Sequence, residues 1–441
     1  MSVVLAEKRI KVLHLIKSLG RGGAEKLIPQ TALVHDQGRF EFHCLYFYHQ
    51  DQNIVEELVH AGIEVHLIPS RNLGLFFQVS KVREFVKQHQ FDLIHAHLPW
   101  AGILARFVGK KLQIPIVYTE HNTWDRYNKV SYWGNRLSFK QQDVAIAVSN
   151  EVALSMQLNS FWNPYRRGGR LKIKVVQNGV NTEVFRKKVP SNKYQVISTK
   201  YQGPSIKWTE LEEGSGKSEV GGGKLEVGGG RLEVGSGKLE VGGGGVFELQ
   251  SSLKTELGIP EDVPVIGKVA VFRSQKRLWL WVELALRILE KKPDVHFLLV
   301  GDGEWRREIE KQINKSGKSS QFHLVGVQKA VIPFLSLMNI YLSTSEFEGL
   351  PIAMLEAMSC EVPVVATRAG GIGEVIQHGI QGFLTETENW EELEGHCLRL
   401  LEDADLQEKM AKAARHRVIE RFSMVRMVRE LETIYQEVCE G

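Results

Sequence analysis

From Ile10 to Val176, short apolar runs rich in β-branched residues alternate with longer stretches whose apolar positions recur at helical spacing. The short runs predict strands at Ile10–Lys17, Phe42–Phe47, Ile63–Ile68, Phe91–His95, Pro115–Thr119, Val144–Ser149 and Ile173–Gln177. After residue 260 the rhythm restarts, with strands predicted at Val263–Phe272, Val295–Val300, Phe322–Val325, Ile340–Thr344 and Val362–Thr367. Strands separated by helices pair in parallel through crossovers, so the fold class is α/β with two doubly wound sheets. Ligands of such sheets bind beyond the carboxyl ends of the strands, and two facing sheets would share one cleft.

The pattern breaks between the halves. Residues 214–241 hold four near-identical sevens, from G-S-G-K-S-E-V to G-S-G-K-L-E-V. A seven-residue period invites a coiled coil, but three Gly or Ser positions in each seven work against a helix. A flexible expansion is expected, with very short strands in K-L-E-V as the alternative. The expected boundaries are 1–188 for the first domain, 189–246 for this linker and 247–423 for the second domain, followed by a helix at about 424–441.

A chain of 441 residues, 43% hydrophobic and 24% charged, has the composition of a globular protein of about two domains. No apolar run approaches the ~18–20 residues of a membrane span, and Met1–Arg9 leads into a strand without a secretory apolar region, so a cytoplasmic location is expected. Cys44, Cys360, Cys397 and Cys439 are far apart, which points to reduced thiols rather than disulfides or a zinc site. Net charge is uneven. Residues 1–190 carry 26 Lys and Arg against 15 Asp and Glu, and the remainder 30 against 37. Lys110-Lys111, Arg126 with Lys129, and Arg166-Arg167, Arg170, Lys172 and Lys174 could attract an anionic membrane or a lipid-diphosphate, or be a solvated basic surface. No nucleic-acid motif accompanies them.

The most informative stretch is Ser345–Glu356, S-E-F-E-G-L-P-I-A-M-L-E. A predicted buried strand precedes it, and Pro351 suits the first position of a helix. Free N–H groups at that helix start favour an anion, and Gly349 lets a phosphate approach the main chain. Glu356, about a turn later, aims an acceptor at the same crevice. A phosphate cradle beside acceptors for hydroxyls suggests a nucleotide sugar.

This stretch resembles the E-G-[FL]-P signature of glycosyltransferase family 4, retaining enzymes of the GT-B fold with two Rossmann-like domains. The resemblance runs from Lys11 to about Tyr435 apart from the repeats. It implies that Glu356 binds the donor ribose, and that Glu348 with the N–H groups of Gly349 and Leu350 contacts the transferred sugar and its diphosphate. Gly20-Arg-Gly22-Gly23-Ala-Glu25 is similar to the family's G-G-x-E loop, which implies a role beside the departing diphosphate; Pro29 should kink or displace the helix that follows. Tyr118-Thr-Glu-His121 resembles T-x-H, implying that His121 contacts the transferred sugar. Asp92-Leu-Ile-His95-Ala-His97 resembles D-x-x-H-x-H; its histidines suit packing or hydrogen bonding better than metal ligation, for want of a third ligand.

In the second half, Arg273 and Lys276 resemble the pair of cations that neutralise the diphosphate, and Val325-Gly326 the segment that edges the base. Asn178-Gly-Val-Asn181 resembles the turn leaving the first domain, and the last helix the family's segment that crosses back onto it. Ala369-Gly-Gly-Ile-Gly-Glu374 resembles a Gly-rich turn opening another helix into the site. Glu361 stands where the family commonly has Gly, which would cost about 1 kcal/mol if its backbone is left-handed. Asp403-Ala-Asp405 imitates a metal-binding D-x-D but reads as solvated surface.

The resemblance implies a hexosyltransferase that moves a sugar from a nucleoside-diphosphate donor to a hydroxyl of a glycan, lipid-linked or small-molecule acceptor, by front-face transfer. No metal ligand and no cofactor are expected. The alternatives are a catalytically silent nucleotide-sugar-binding subunit and an epimerase or phosphorylase of the same fold; a dehydrogenase lacks its G-x-G-x-x-G.

Overall fold

The computed structural model describes residues 8–51, 53–70, 74, 77–156, 171–186 and 252–440, and the backbone of four short strands within 194–232. The first sheet contains β1 (Ile10–Leu15), β2 (Phe40–Tyr46), β3 (Glu64–Leu67), β4 (Leu93–His97), β5 (Ile116–Glu120), β6 (Val144–Ala147) and β7 (Lys172–Val175). All are parallel, in the order β3-β2-β1-β4-β5-β6-β7. Strands β4 to β6 are buried throughout, as expected for strands covered by helices on both faces.

Within the linker, β8 (Tyr194–Val196) pairs with β9 (Trp208–Glu210), and β10 (Leu225–Val227) with β11 (Gly230–Leu232), both antiparallel. The rest of the repeat lies outside the described residues, as does the Arg166–Arg170 cluster.

The second sheet contains β12 (Val265–Val269), β13 (His296–Val300), β14 (Phe322–Leu324), β15 (Ile340–Ser343), β16 (Val364–Thr367) and β17 (Gly382–Thr385), parallel and ordered β14-β13-β12-β15-β16-β17. Strand β17 is absent from the expectation: four residues of G-F-L-T next to Gln381 and Gly379 carry too little periodicity to register. In each sheet the strand order reverses once, between β1 and β4 and between β12 and β15. Loops leaving adjacent strands there diverge to opposite faces and open a crevice, the standard ligand position of such sheets. The Gly20–Gly23 loop follows β1; Arg273 and Lys276 follow β12; Glu348 follows β15.

The last helix, Met424–Glu440, buries Met424, Met427, Val428, Leu431, Ile434 and Tyr435, an apolar stripe at helical spacing. That stripe packs with Val12, Phe42 and Val117 of the first sheet, so the chain does return to its first half. The crossing is pinned at Val180, whose N–H donates to Phe422 O at 2.9 Å and whose carbonyl accepts from Met424 N at 2.9 Å. Among the described residues no helix is long and apolar enough to cross a membrane, and all four cysteines are free thiols.

Two local expectations change. Helix Gly23–Ala32 starts directly after the glycine loop and runs through Pro29, so the proline does not displace its start. Pro351 is the N-cap of helix Ile352–Ser359, not its first residue, with φ −74° and ψ 108°. Asp403 caps helix Ala404–Arg421 by accepting from Leu406 N at 2.9 Å, and Asp405 is exposed, which accounts for the D-x-D imitation.

Candidate active site

The turn Glu348-Gly-Leu-Pro351 is wedged between the two halves. A side-chain carbon at Gly349 would lie 2.3 Å from the carbonyl oxygen of His121, so only glycine lets the turn meet the end of β5. On its other side, Gly370 has φ +57° and leaves no room beside the Glu348 carbonyl, where a side-chain carbon would sit at 1.9 Å. Asn178 closes the arrangement: its Nδ2 donates to Leu350 O at 2.9 Å. The turn after β7 in the first half therefore positions the Glu348–Pro351 turn of the second.

Charged groups line this loop. Lys276 Nζ donates to both Glu348 oxygens, at 2.7 and 2.6 Å, and Ser345 Oγ donates to Glu348 at 2.7 Å. Behind them Lys268, fully buried on β12, donates to Ser343 Oγ at 2.7 Å and Ser345 Oγ at 3.1 Å. Burial pushes the Glu348 carboxyl upward, but Lys276, Lys268 and the two hydrogen bonds outweigh it and leave the group below the usual carboxylate range. Burial pushes the Lys268 ammonium down to about 7; Glu348 opposes this, and Lys276 and Arg277 reinforce it. Arg277 clips the same loop in place, donating from Nε to Thr344 O at 2.8 Å and from Nη1 and Nη2 to Thr387 O, each at 3.0 Å.

Arg273 is exposed, with no ion pair among the described residues. It lies near enough to Glu25 for its charge to offset part of the upward shift that burial imposes on that carboxyl. The Gly22-Gly23 loop sits opposite: a side-chain carbon at Gly23 would reach Ile352 Cδ1 at 3.4 Å, ordinary contact. The two glycine-bearing loops, Gly22-Gly23 and Gly349, are thus neighbours. Glu356, one turn into its helix, is buried, and no hydrogen bond reaches its carboxylate among the described residues. Burial raises its pKa, with Lys26 pulling the other way. With no protein donor on it, the carboxylate is available to the hydroxyl groups of a ligand.

His121 follows β5. Its Nε2 is buried and has no protein partner among the described residues, and burial lowers its pKa to about 4, so the ring is neutral at pH 7. Its backbone N–H donates to Glu120 Oε1 at 3.0 Å. Glu120 is itself fully buried and accepts from Tyr118 OH at 2.6 Å, Trp124 Nε1 at 3.0 Å and Tyr127 OH. Burial raises the Glu120 pKa against those bonds, which makes it a scaffold for the His121 loop rather than a group in the cleft.

Behind His121 a cavity of about 20 Å³ is lined by His14, His95 and His97, with room for about one water. His95 is bonded at both nitrogens, to Tyr435 OH and Thr119 Oγ1, each at 2.7 Å, while His97 Nε2 meets His14 Nδ1 at 3.0 Å. Hydrogen bonding is the observed role of these rings, although His14 brings a third imidazole that the sequence spacing did not reveal.

Val325 is buried at the end of β14, and Gly326, at φ +71°, accepts from Gly301 N at 2.7 Å. Glu374 departs from expectation. It accepts from Asn150 Nδ2 and Gln177 Nε2, each at 2.8 Å, so it clamps the two halves instead of facing the cleft. Glu361 is left-handed, with φ +60°.

Two doubly wound α/β domains, with a glycine turn of one held against a strand end of the other, define the GT-B class of transferases. Residues 21–184 match the family described as Glycosyltransferase Family 4 and residues 250–417 the family described as Glycosyl transferases group 1. The chain belongs to this glycosyltransferase family.

It is 35% identical over 188 residues to the N-acetyl-alpha-D-glucosaminyl L-malate synthase of Bacillus anthracis, a match covering 43% of this chain and 49% of that protein. The chain therefore spans about half the length of this relative. It is 20% identical over 442 residues to the UDP-Gal:alpha-D-GlcNAc-diphosphoundecaprenol alpha-1,3-galactosyltransferase of Escherichia coli, covering 97% of each. Its fold resembles Anabaena HepE, solved in complex with UDP and glucose, with a TM-score of 0.73 at 20% identity over 97% of this chain and 100% of that one.

Proposed function

We propose that this protein is a retaining, metal-independent glycosyltransferase that takes a hexose from a nucleoside-diphosphate donor and transfers it to a hydroxyl of a glycan, lipid-linked or small-molecule acceptor. The observation that carries the reading is the chain Lys268–Ser345–Glu348–Lys276, set directly beside the N–H groups of Gly349 and Leu350, which donate no hydrogen bond among the described residues. It concentrates positive charge and donors where a leaving diphosphate would develop charge, which is how such a site lowers a barrier. Arg273 and the Gly22-Gly23 loop add to that field from the other side. Lys276 shares its ammonium between Glu348 and the diphosphate, and Glu348 keeps an oxygen for a sugar hydroxyl. Neutral His121 offers Nε2 to the transferred sugar. In a front-face transfer the departing phosphate oxygen takes the acceptor proton, so no side chain serves as nucleophile. With these cations present the leaving group needs no divalent ion.

The glycosyltransferases named above include one whose acceptor is a diphospholipid. An exposed stripe on helix Lys129–Ser138 suits such an acceptor here: Val130, Trp133 and Leu137 are 66%, 52% and 65% exposed, with Lys129 and Arg136 on the same helix. Apolar residues beside basic ones favour an anionic membrane surface, so the first domain would touch the cytoplasmic leaflet peripherally.

Screening purified protein against nucleotide sugars, by thermal shift and by release of nucleoside diphosphate, tests the reading. One donor should stabilise the wild type and be slowly hydrolysed. Glu356→Ala should raise the donor KM about tenfold or more with a smaller effect on kcat, because a ribose contact is made equally in ground and transition states. A folded protein that binds a donor but releases no nucleoside diphosphate would leave the silent-subunit reading, and one that binds no donor would overturn both.

A further inference from the structure

At the free edge of the first sheet, far from the transferase cleft, four potential metal ligands converge. His43 lies on β2, Glu64 and His66 on the edge strand β3, and His89 ends helix Val79–His89. In the parallel register His43 is opposite Glu64, and Leu45 opposite His66. Side chains two apart on a strand share a face, so all three strand residues project to the same side, where the helix packs. Each of the four offers one ligand atom, and these atoms lie within 4.8 Å of one another. Glu64 opens β3 and His89 precedes β4, which places the cluster towards the amino ends of the strands; the functional loops leave the carboxyl ends.

The spacings fit the edges of a coordination shell, and two of the three are longer than a usual hydrogen bond. His43 Nδ1 is 3.4 Å from His66 Nε2 and 3.4 Å from Glu64 Oε2, and His66 Nε2 is 3.2 Å from Glu64 Oε1. An N–H···N or N–H···O bond normally measures ~2.7–3.2 Å. Tetrahedral zinc with ligands at ~2.0–2.1 Å has edges of ~3.3 Å between donor atoms.

The surroundings match as well. Glu41 accepts from His43 Nε2 at 3.0 Å, which places the ring proton on Nε2 and turns the lone pair of Nδ1 towards Glu64 and His66. A carboxylate behind a histidine is the usual outer support of a metal ligand. Phe85 and Phe91 wall the site, with Phe85 4.7 Å from the His66 ring and 4.3 Å from that of His89, and Phe91 4.9 Å from that of His43.

We infer that His43 Nδ1, His66 Nε2, a Glu64 oxygen and a ring nitrogen of His89 bind one tetrahedral divalent transition metal, with Zn²⁺ the ion their donor set suits best. The ion is structural. It ties the edge strand and helix Val79–His89 to β2 and takes no part in transfer.

The test uses the full chain, freed of metal by EDTA and desalted, titrated with Zn²⁺ in competition with a chromogenic chelator and with Co²⁺ by visible absorption. The wild type should take up one equivalent tightly, show the intense visible bands of tetrahedral Co²⁺, and gain thermal stability from Zn²⁺. H66A/H89A should lose the bands and the stabilisation. E41Q keeps all four ligands and should bind about 10–100-fold more weakly. E64Q, altered at an exposed side chain and so least able to disturb folding, should weaken binding too. No tight equivalent in the wild type, or undiminished uptake and bands in H66A/H89A, would overturn the inference. Donor hydrolysis is read separately and is expected to be the same with and without Zn²⁺ at ambient temperature.

Discussion

Lys268 carries the most consequential residue-scale prediction. Its folded pKa, about 7, lies below the 10.5 of an exposed lysine, so between those values the unfolded chain holds the extra proton. Stability therefore rises with pH through that window, and the cost of burying the charge is fully present below it. Lys268→Met removes this term, so the melting-temperature gap between variant and wild type should shift steadily in favour of the wild type from pH 6 to pH 9. The variant also leaves Ser345 without its charged donor, and donor turnover should fall about 10- to 100-fold, the equivalent of one hydrogen bond to a charged group. A pH-independent gap would remove Lys268 from the account. Much of the site was legible at this scale, since Glu348, Gly349, Leu350, Glu356, Lys276 and His121 stand in motifs whose spacing has a chemical reason. Lys268 left a weaker trace, a lone charge inside the apolar run V-I-G-K-V. Asn178 and His14 left none as site residues, because their partners Leu350 and His97 are 172 and 83 positions away.

At the scale of elements, the turn after helix Ile352–Ser359 stores strain. Glu361 has φ +60°, which costs a side chain about 1–2 kcal/mol, and its contact with Arg415 Nε is 4.0 Å, too long to return much of it. Glu361→Gly should stabilise the protein by about 0.5–1 kcal/mol, after allowing for the greater freedom glycine gives the unfolded chain. Urea unfolding would show this as a higher midpoint at unchanged slope, and a lower midpoint would mean that the Arg415 pair matters more. The strands were legible from their apolar runs because both faces of each sheet are covered. Strand β17 was not, being four residues long, and neither was the path through Pro29, where burial of Leu27, Ile28 and Thr31 holds the helix together despite the lost N–H.

Over the whole molecule, the chain's return, bridged at Val180 and Ser423, joins the halves next to Asn178, whose side chain holds the Leu350 carbonyl. The alternation of strands and helices announces the two sheets, but the clamp made by Glu374 depends on how they meet, which no local pattern encodes. The membrane contact proposed for the basic first half rests on helix Lys129–Ser138, which exposes Trp133 and Leu137. Trp133→Ala with Leu137→Ala should reduce sedimentation with anionic liposomes at low salt several-fold while leaving donor hydrolysis intact; equal sedimentation would assign the charge to a solvated surface.

We propose that this cleft breaks a nucleotide sugar with retention. The most direct measurement follows donor hydrolysis by proton NMR in the absence of an acceptor, with water taking the acceptor's place. From an α-linked donor the first sugar observed should be the α anomer, appearing with nucleoside diphosphate and undiminished by EDTA. A β anomer formed first would contradict front-face transfer at this site.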